Sequence, residues 1–420
     1  MTGYPASLQY LYGLEKSGII LGLDNISWLL GLLGNPERDF ASIHVGGTNG
    51  KGSVVSMLTQ ILKKSGYATG TYTSPHLVDF TERIQVNGER IRKEEMVALT
   101  ERIRGLTSQS TDPHRFSFFD FTTAMALLYF KERMVDWAVV EVGMGGRLDS
   151  TNAIHPAVSI IMNVAKDHME HLGNDIRQIA AEKAGIIKEG VPVVTGASGE
   201  ALEVIKDKAA DRSRVFVLGQ DFSYEKLDDQ RFSYRGLRWE LRDISVGLLG
   251  DHQLSNAAIA LCAAELLSRS GLDLSPDKIR AALSTVQWPG RLEMAAENPP
   301  VLLDAAHNPH GAQSLAAFLK AHYGDRRIIL VFGVMRDKDW KEILNLLLPL
   351  ASDIILTRPA IERAAPPELL ARSVPGATLA DDVKGALSMA RKRAVEGDII
   401  VVTGSLYTVG EAKTAIYEAA

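Results

Sequence analysis

Short, continuously apolar runs alternate along this chain with longer stretches of helical period. In the first half the runs Phe40–Val45, Ala138–Val142, Val158–Asn163 and Pro192–Thr195 are each brief and rich in β-branched residues. A strand apolar on both sides is one covered on both faces, as in the parallel sheet of an α/β protein. Ser53–Ser65, Thr122–Arg133 and Asp175–Lys188 supply helical stretches between them. A second series follows: Val301–Asp304, Ile328–Phe332, Asp353–Thr357 and Asp398–Thr403, again with helical stretches between. The alternation predicts an α/β fold in two serial units. Gln287-Trp-Pro-Gly-Arg291 places Pro and Gly at the natural join, giving expected domains 1–288 and 289–420. Lys206–Val246 breaks the pattern with scattered aromatics and alternating charges, and predicts a small antiparallel excursion.

Composition narrows the class. A chain of 420 residues with 46% hydrophobic and 23% charged residues is ordinary for a globular protein of two or three domains. A net charge of -5 and a pI near 6.1 disfavour a general nucleic-acid binder. No apolar run approaches the ~18 residues of a membrane span. The first basic residue is Lys16, so no charged signal-peptide start is expected, and the expected location is cytoplasmic. The single cysteine, Cys262, excludes an internal disulfide framework and a cysteine-cluster metal site.

The sharpest local signal is Ile43-His-Val-Gly-Gly-Thr48-Asn49-Gly50-Lys51-Gly52-Ser53, which follows a predicted strand and opens a predicted helix. Glycines let backbone N–H groups curl toward a phosphate, and the helix N-terminus adds partial positive charge. A lysine there reaches the outer phosphates, and a following hydroxyl suits Mg²⁺. The match to G-x-x-x-x-G-K-[ST] is imperfect: Val45 stands in place of the first glycine, and Gly52 is inserted between Lys51 and Ser53.

That variant loop resembles the ATP loop of the Mur ligase superfamily, in its folylpolyglutamate synthase and dihydrofolate synthase family. The resemblance continues through Thr73-Ser-Pro-His-Leu77, Glu141-Val-Gly-Met-Gly-Gly-Arg-Leu-Asp-Ser-Thr-Asn152, Asp167-His168, Glu182-Lys-Ala-Gly-Ile186, Pro289-Gly-Arg291 and Leu303-Asp-Ala-Ala-His-Asn-Pro309. It implies an N-terminal P-loop ATPase domain of Mur ligase type, with the acceptor site, and a smaller C-terminal Rossmann-like α/β domain that handles glutamate. The implied reaction joins L-glutamate to dihydropteroate, to reduced folates, or to both, through an acyl phosphate made from ATP. A monomer is the usual state of the family.

Roles implied by the resemblance fall on named positions. Thr48, Asn49, Gly50, Lys51, Gly52 and Ser53 hold the phosphates, and Asn256, Arg291 and Asp304 touch the nucleotide. An arginine fork suits phosphate oxygens. Ser74, Glu141 and His168 bind Mg²⁺, two ions in all, although imidazole is softer than that ion prefers. Lys183 would otherwise read as a solvated helix charge; the family carries a carbamate there, formed from CO₂. His307 either assists phosphoryl transfer or orients the nucleophile, so Lys51, Lys183 and His307 form the catalytic set. The pteroyl ring falls on Leu21, Gly22, Leu23 and Asp24, on Phe118, Phe119, Asp120 and Phe121, and on Leu148, Asp149 and Ser150. Aromatic and aliphatic walls suit a flat heteroaromatic ring. Many relatives carry Glu where Asp120 stands. Ser405, and more weakly Lys338, are candidate contacts for the incoming glutamate.

Three alternatives stay open at this level. An enzyme that only extends existing folates fits the same residues. A muramyl-peptide ligase is disfavoured because the stretch before Gly47 is too short for the extra domain that those enzymes carry. A non-catalytic nucleotide-binding regulator is disfavoured because Lys51, Glu141 and Lys183 are all retained.

Overall fold

The computed structural model describes residues 3–15, 20–109 and 116–418; Lys16 lies outside them. They form two compact units. The first comprises 1–75, 80–247 and 254–286, and the second comprises 76–79, 248–253 and 287–420.

Among the described residues, the first unit is built on an eight-stranded sheet. Its strands are β1 (Ala41–Gly46), β2 (Thr69–Tyr72), β3 (Ile84–Val86), β4 (Glu89–Arg90), β5 (Trp137–Glu141), β6 (Val158–Ile161), β7 (Val193–Thr195) and β8 (Val215–Val217). The spatial order is β4-β3-β2-β5-β1-β6-β7-β8. Pairings from β2 to β8 are parallel, while β3 and β4 add an antiparallel edge. The registers Val45↔Glu141, Tyr72↔Val140 and Gly46↔Ile161 bring the carboxyl ends of β1, β2, β5 and β6 to one edge. The chain leaves β1 for β2 on one side, and β6 lies on the other. Such a reversal of strand order opens a crevice at the carboxyl edge.

A separate three-stranded antiparallel sheet follows: β9 (Ser223–Lys226), β10 (Arg231–Arg235) and β11 (Glu240–Ser245). The antiparallel excursion is therefore shorter than the expected Lys206–Val246. Its first residues finish the Gly199–Ala209 helix, and β8 pairs in parallel with β7. Glu265, on the Asp251–Arg269 helix, anchors this sheet: its carboxylate accepts the amides of Leu237, Arg238 and Trp239 and the Tyr234 hydroxyl. A buried charge surrounded by donors in this way is satisfied.

The second unit carries β12 (Glu293–Glu297), β13 (Pro300–Leu303), β14 (Ile328–Phe332), β15 (Asp353–Leu356), β16 (Thr378–Leu379) and β17 (Ile399–Thr403). They lie in the order β12-β13-β17-β14-β15-β16, parallel except for β12. Alternation explains why these strands read as unbroken apolar runs. Leu302, Leu330 and Val401 join one core with the Pro309–Tyr323 and Trp340–Leu347 helices. Val301, Leu303, Val331 and Val402 join another with the Val383–Arg393 and Leu406–Tyr417 helices.

Some element limits move for local reasons. The expected Thr122–Arg133 helix starts at Phe118, because Ser117 and Asp120 close a capping box in front of it. The expected Asp175–Lys188 helix ends at Lys183 and tightens into a 3₁₀ turn over Ala184–Ile186. The strand expected to run to Asn163 stops at Ile161, and Asp304 lies just past β13 instead of closing it.

Candidate functional site

In the first unit, β1 runs directly into the glycine loop, and the Lys51–Lys64 helix starts behind it with Gly50 at its N-cap. Gly47 and Gly50 have φ of 132° and 87°, the left-handed half of backbone space that glycine enters without strain. Space forbids a side chain as well. A Cβ on Gly47 would lie 2.7 Å from Met162 Cβ, and one on Gly50 would lie 2.6 Å from Asn256 Oδ1. Asn256 thus lies against the loop at Gly50.

Asn163 braces the loop from the end of β6. Its Oδ1 accepts the Asn49 amide at 3.0 Å, its Nδ2 donates to Asn49 O, and its carbonyl accepts the Thr48 amide at 2.8 Å. Thr48 Oγ1 donates to Ala165 O and accepts the Ala165 amide. Lys51 Nζ donates to the carbonyls of Gly47 and Thr48. Gly52 and Ser53 form the first turn of the helix, Ser53 buried.

Lys183 reaches the same loop. Its side chain is buried, and Nζ donates to Gly47 O at 3.0 Å. Burial pushes its pKa down to about 7, and the nearby Lys51 ammonium pushes the same way against Asp167 and Asp149.

Ser74 and Glu141 meet at the ends of β2 and β5, where the Ser74 amide donates to Glu141 Oε2 at 3.1 Å. Ser74 Oγ is buried and has no hydrogen-bond partner. A stranded hydroxyl oxygen beside a carboxylate is a hard-oxygen pair of the kind that Mg²⁺ accepts. His168 is placed differently. It sits at φ 50° with its side chain 36% exposed, and its amide donates to Asp167 Oδ1. Among the described residues no group of three His, Cys, Asp or Glu is disposed to hold a metal.

Toward the expected acceptor region, the loop after Glu141 is tightly stitched. Asp149 Oδ2 accepts the Met144 amide at 2.8 Å, and Oδ1 accepts the amide and hydroxyl of Thr151. Burial raises the pKa of Asp149 to about 6. Asp120 is likewise occupied: Oδ2 takes the amide and hydroxyl of Ser117, and Oδ1 takes the Ser150 hydroxyl at 2.7 Å. Its carboxylate ties the Phe118–Glu132 helix to the 3₁₀ turn Ser150–Ala153. Phe118 and Phe121 belong to the core, while Phe119 lies on Gly143, where a Cβ would come within 2.4 Å of its ring. Gly22 donates to Leu148 O at 3.4 Å, bringing the Leu21–Asp24 segment beside Leu148; Leu21 and Asp24 are exposed, and Leu23 is half-buried.

In the second unit Asp304 organises the loop after β13. Its carboxylate accepts the amides of Leu292 and Ala306, both at 3.0 Å. Arg291 and His252 share its surroundings: burial lowers the pKa of His252, with Asp304 opposing and Arg291 and His310 reinforcing. His307 Nδ1 pairs with Ala305 O at 2.9 Å. Ser405 is buried as the N-cap of the Leu406–Tyr417 helix, its hydroxyl accepting the Thr408 amide. Lys338 lies 3.9 Å from Asp337 with its side chain largely covered.

Comparison with known proteins identifies the family. Residues 45–264 match the Mur ligase middle domain, and residues 290–406 match the Mur ligase glutamate ligase domain. The Bacillus subtilis dihydrofolate synthase/folylpolyglutamate synthase is 36% identical over 98% of each chain. The chain belongs to the dihydrofolate synthase/folylpolyglutamate synthase family of Mur ligases. Among solved structures, Escherichia coli FolC in complex with DHPP and ADP superposes with a TM-score of 0.92 at 31% identity, covering 100% of this chain and 98% of that one. The Mycobacterium tuberculosis folylpolyglutamate synthase complexed with ADP and AMPPCP gives 0.91 at 35% identity, covering 98% and 99%.

In this Mur ligase two residues with clear positions in the site region lay outside the sequence reading. Asn163 is the polar last residue of a predicted apolar strand, which is a usable signal. His252, half-buried with Asp304 in its electrostatic surroundings, gave none, because a histidine in a polar helix start reads as surface.

Proposed function

We propose that this chain is an ATP-dependent ligase that adds L-glutamate to a pteroyl acid: dihydropteroate, the γ-carboxylate of a reduced folate, or both. The observation that carries it is the convergence of Lys51 and Lys183 on the carbonyl of Gly47, in a loop that only glycine can build, at the sheet edge where Ser74 meets Glu141. Condensing a carboxylate with an amine in water is uphill, so the carboxylate is first phosphorylated, and the glutamate amine then displaces phosphate from the acyl phosphate. Catalysis of such a transfer is mostly positioning and charge stabilisation.

In this reading the amides of Thr48–Ser53 and Lys51 Nζ hold the phosphates, with Asn256, Arg291 and Asp304 on the nucleotide. Ser74 Oγ and Glu141 would hold Mg²⁺, with His168 toward a second ion; the metal would supply charge neutralisation on the phosphates. Lys183 suits carbamylation, because an amine with its pKa near 7 is substantially neutral at physiological pH, and only the neutral amine reacts with CO₂. Phe119 and the Leu21–Asp24, Leu148 and Ser150 surfaces would line the pteroyl group, while Asp120 and Asp149 act by shaping that wall. His307 and Ser405 belong to the glutamate step, Ser405 through the helix start that it caps. The domain limits 1–288 and 289–420, a monomeric state and a cytoplasmic location complete the proposal; no helix of the described residues is long and apolar enough to cross a membrane.

The test is glutamate-dependent ADP release with Mg-ATP, run in parallel with dihydropteroate and with tetrahydrofolate. Signal from both makes the enzyme bifunctional, and signal from tetrahydrofolate alone makes it a chain extender. Silence with both, in folded protein that binds ATP, rejects the proposal.

A further inference from the structure

His44 is a costly residue in its place. It sits in the middle of β1, completely buried, where Leu or Phe would fill the same space without a polar atom. Its Nε2 lies 2.9 Å from Thr151 Oγ1. The direction of that bond follows from proton counting. Thr151 has one hydroxyl proton, and it is committed to Asp149 Oδ1. The Thr151 oxygen must therefore accept from the imidazole, which places the ring proton on Nε2 and leaves a lone pair on Nδ1. Nδ1 is the ring atom with no hydrogen-bond partner. A bare lone pair is the less expensive atom to leave unpaired there; a second N–H would be stranded, with the Lys188 ammonium nearby. Burial, reinforced by Lys188, accordingly holds the imidazole pKa down to about 3.

The donors converge on Asp149: His44 Nε2–H donates to Thr151, Thr151 O–H donates to Asp149 Oδ1, and from the other side the Met144 amide donates to Asp149 Oδ2. We propose that His44 is a positioning residue for the acceptor side of the site, acting through Thr151 and Asp149 to fix the Gly143–Arg147 loop that follows Glu141. This rests on the ligase reading above for its kinetic consequence, though not for its structural one.

The experiment compares His44→Leu, which removes the donor, with His44→Gln, whose side-chain amide keeps an N–H near the Nε2 position. His44→Leu is expected to raise KM for the pteroyl acceptor about tenfold, the size of one lost buried hydrogen bond, with KM for ATP changed less than about twofold. His44→Gln is expected to recover most of that loss. Equal rises in both KM values, or no recovery by glutamine, would reduce His44 to packing. Thr151→Val reads the same chain at its second link if His44→Leu does not fold, and the same split in KM is expected. Independently of turnover, amide exchange of the peptide spanning Met144 in the protein without ligands is expected to be faster in His44→Leu and normal in His44→Gln. Unchanged exchange would overturn the proposal. A wild-type enzyme silent with both acceptors would reject the ligase reading alone, because the exchange result would still decide His44.

Discussion

The ammonium of Lys183 lies 3.0 Å from the carbonyl of Gly47, and that carbonyl also accepts Lys51 at 3.2 Å. Two cations sharing one neutral acceptor repel each other, and burial removes the water that would screen them. Loss of the Lys183 charge relieves both costs.

That relief predicts a pH dependence. In the unfolded chain Lys183 titrates near 10.5, and in the folded chain near 7, so between those values the unfolded chain holds the extra proton. Stability therefore rises as pH rises from about 7 toward 10.5, and the penalty is greatest below 7. Lys183→Met removes this slope. Urea unfolding of both proteins at pH 7 and pH 9, in CO₂-free buffer, checks it: wild type should gain relative to the variant at the higher pH. With CO₂ restored, native mass spectrometry should show the added mass of one CO₂ on wild type and none on the variant.

Lys51→Ala should fold normally and lose about a thousandfold in turnover, the scale of removing a preorganised charge from a transferring group. Circular dichroism and steady-state ADP release check both halves.

Ser74→Ala is expected to raise the Mg²⁺ concentration needed for half-maximal activity while changing stability by less than about 0.5 kcal/mol, since the hydroxyl has no partner to lose. Glu141→Ala should abolish the Mg²⁺-dependent activity. A metal titration unchanged in both variants would remove the pair from the ligand set.

Asp120→Ala breaks the capping box with Ser117 and the bond to Ser150 together. A loss of about 1–3 kcal/mol is expected in urea unfolding, since a cap and a buried hydrogen bond are both removed.

The two mainly parallel sheets were legible because their central strands are covered on both faces. Ile328–Phe332 reads as one apolar run for that reason, and its limits are those of β14. β2 was harder: Thr69-Gly-Thr-Tyr72 is short and holds a glycine, packed so closely that a Cβ would come 2.7 Å from the Phe130 ring. The glycine loop was legible because its function and its geometry demand the same residues. Asp120, Asp149 and Ser405 were harder for the opposite reason. A polar residue in a family motif reads as a ligand contact, yet these three spend their polar atoms on helix caps and turns, which spacing alone does not separate from binding. His44 was hidden between apolar neighbours, where a strand pattern masks a polar chain that closes only across more than a hundred residues of sequence.

The anchoring of the three-stranded sheet by Glu265 has a practical consequence. Its carboxylate holds the Trp239 amide at 2.9 Å, and Glu265 shares one helix with Asn256, the residue that lies against the glycine loop at Gly50. The backbone at Trp239 is thereby fastened, through a charged tether, to the helix that carries Asn256. Trp239, one of five tryptophans in the chain, therefore sets an intrinsic fluorophore on the sheet tied to that helix, and ATP binding at the proposed site is expected to change a fluorescence signal that Trp239→Phe removes.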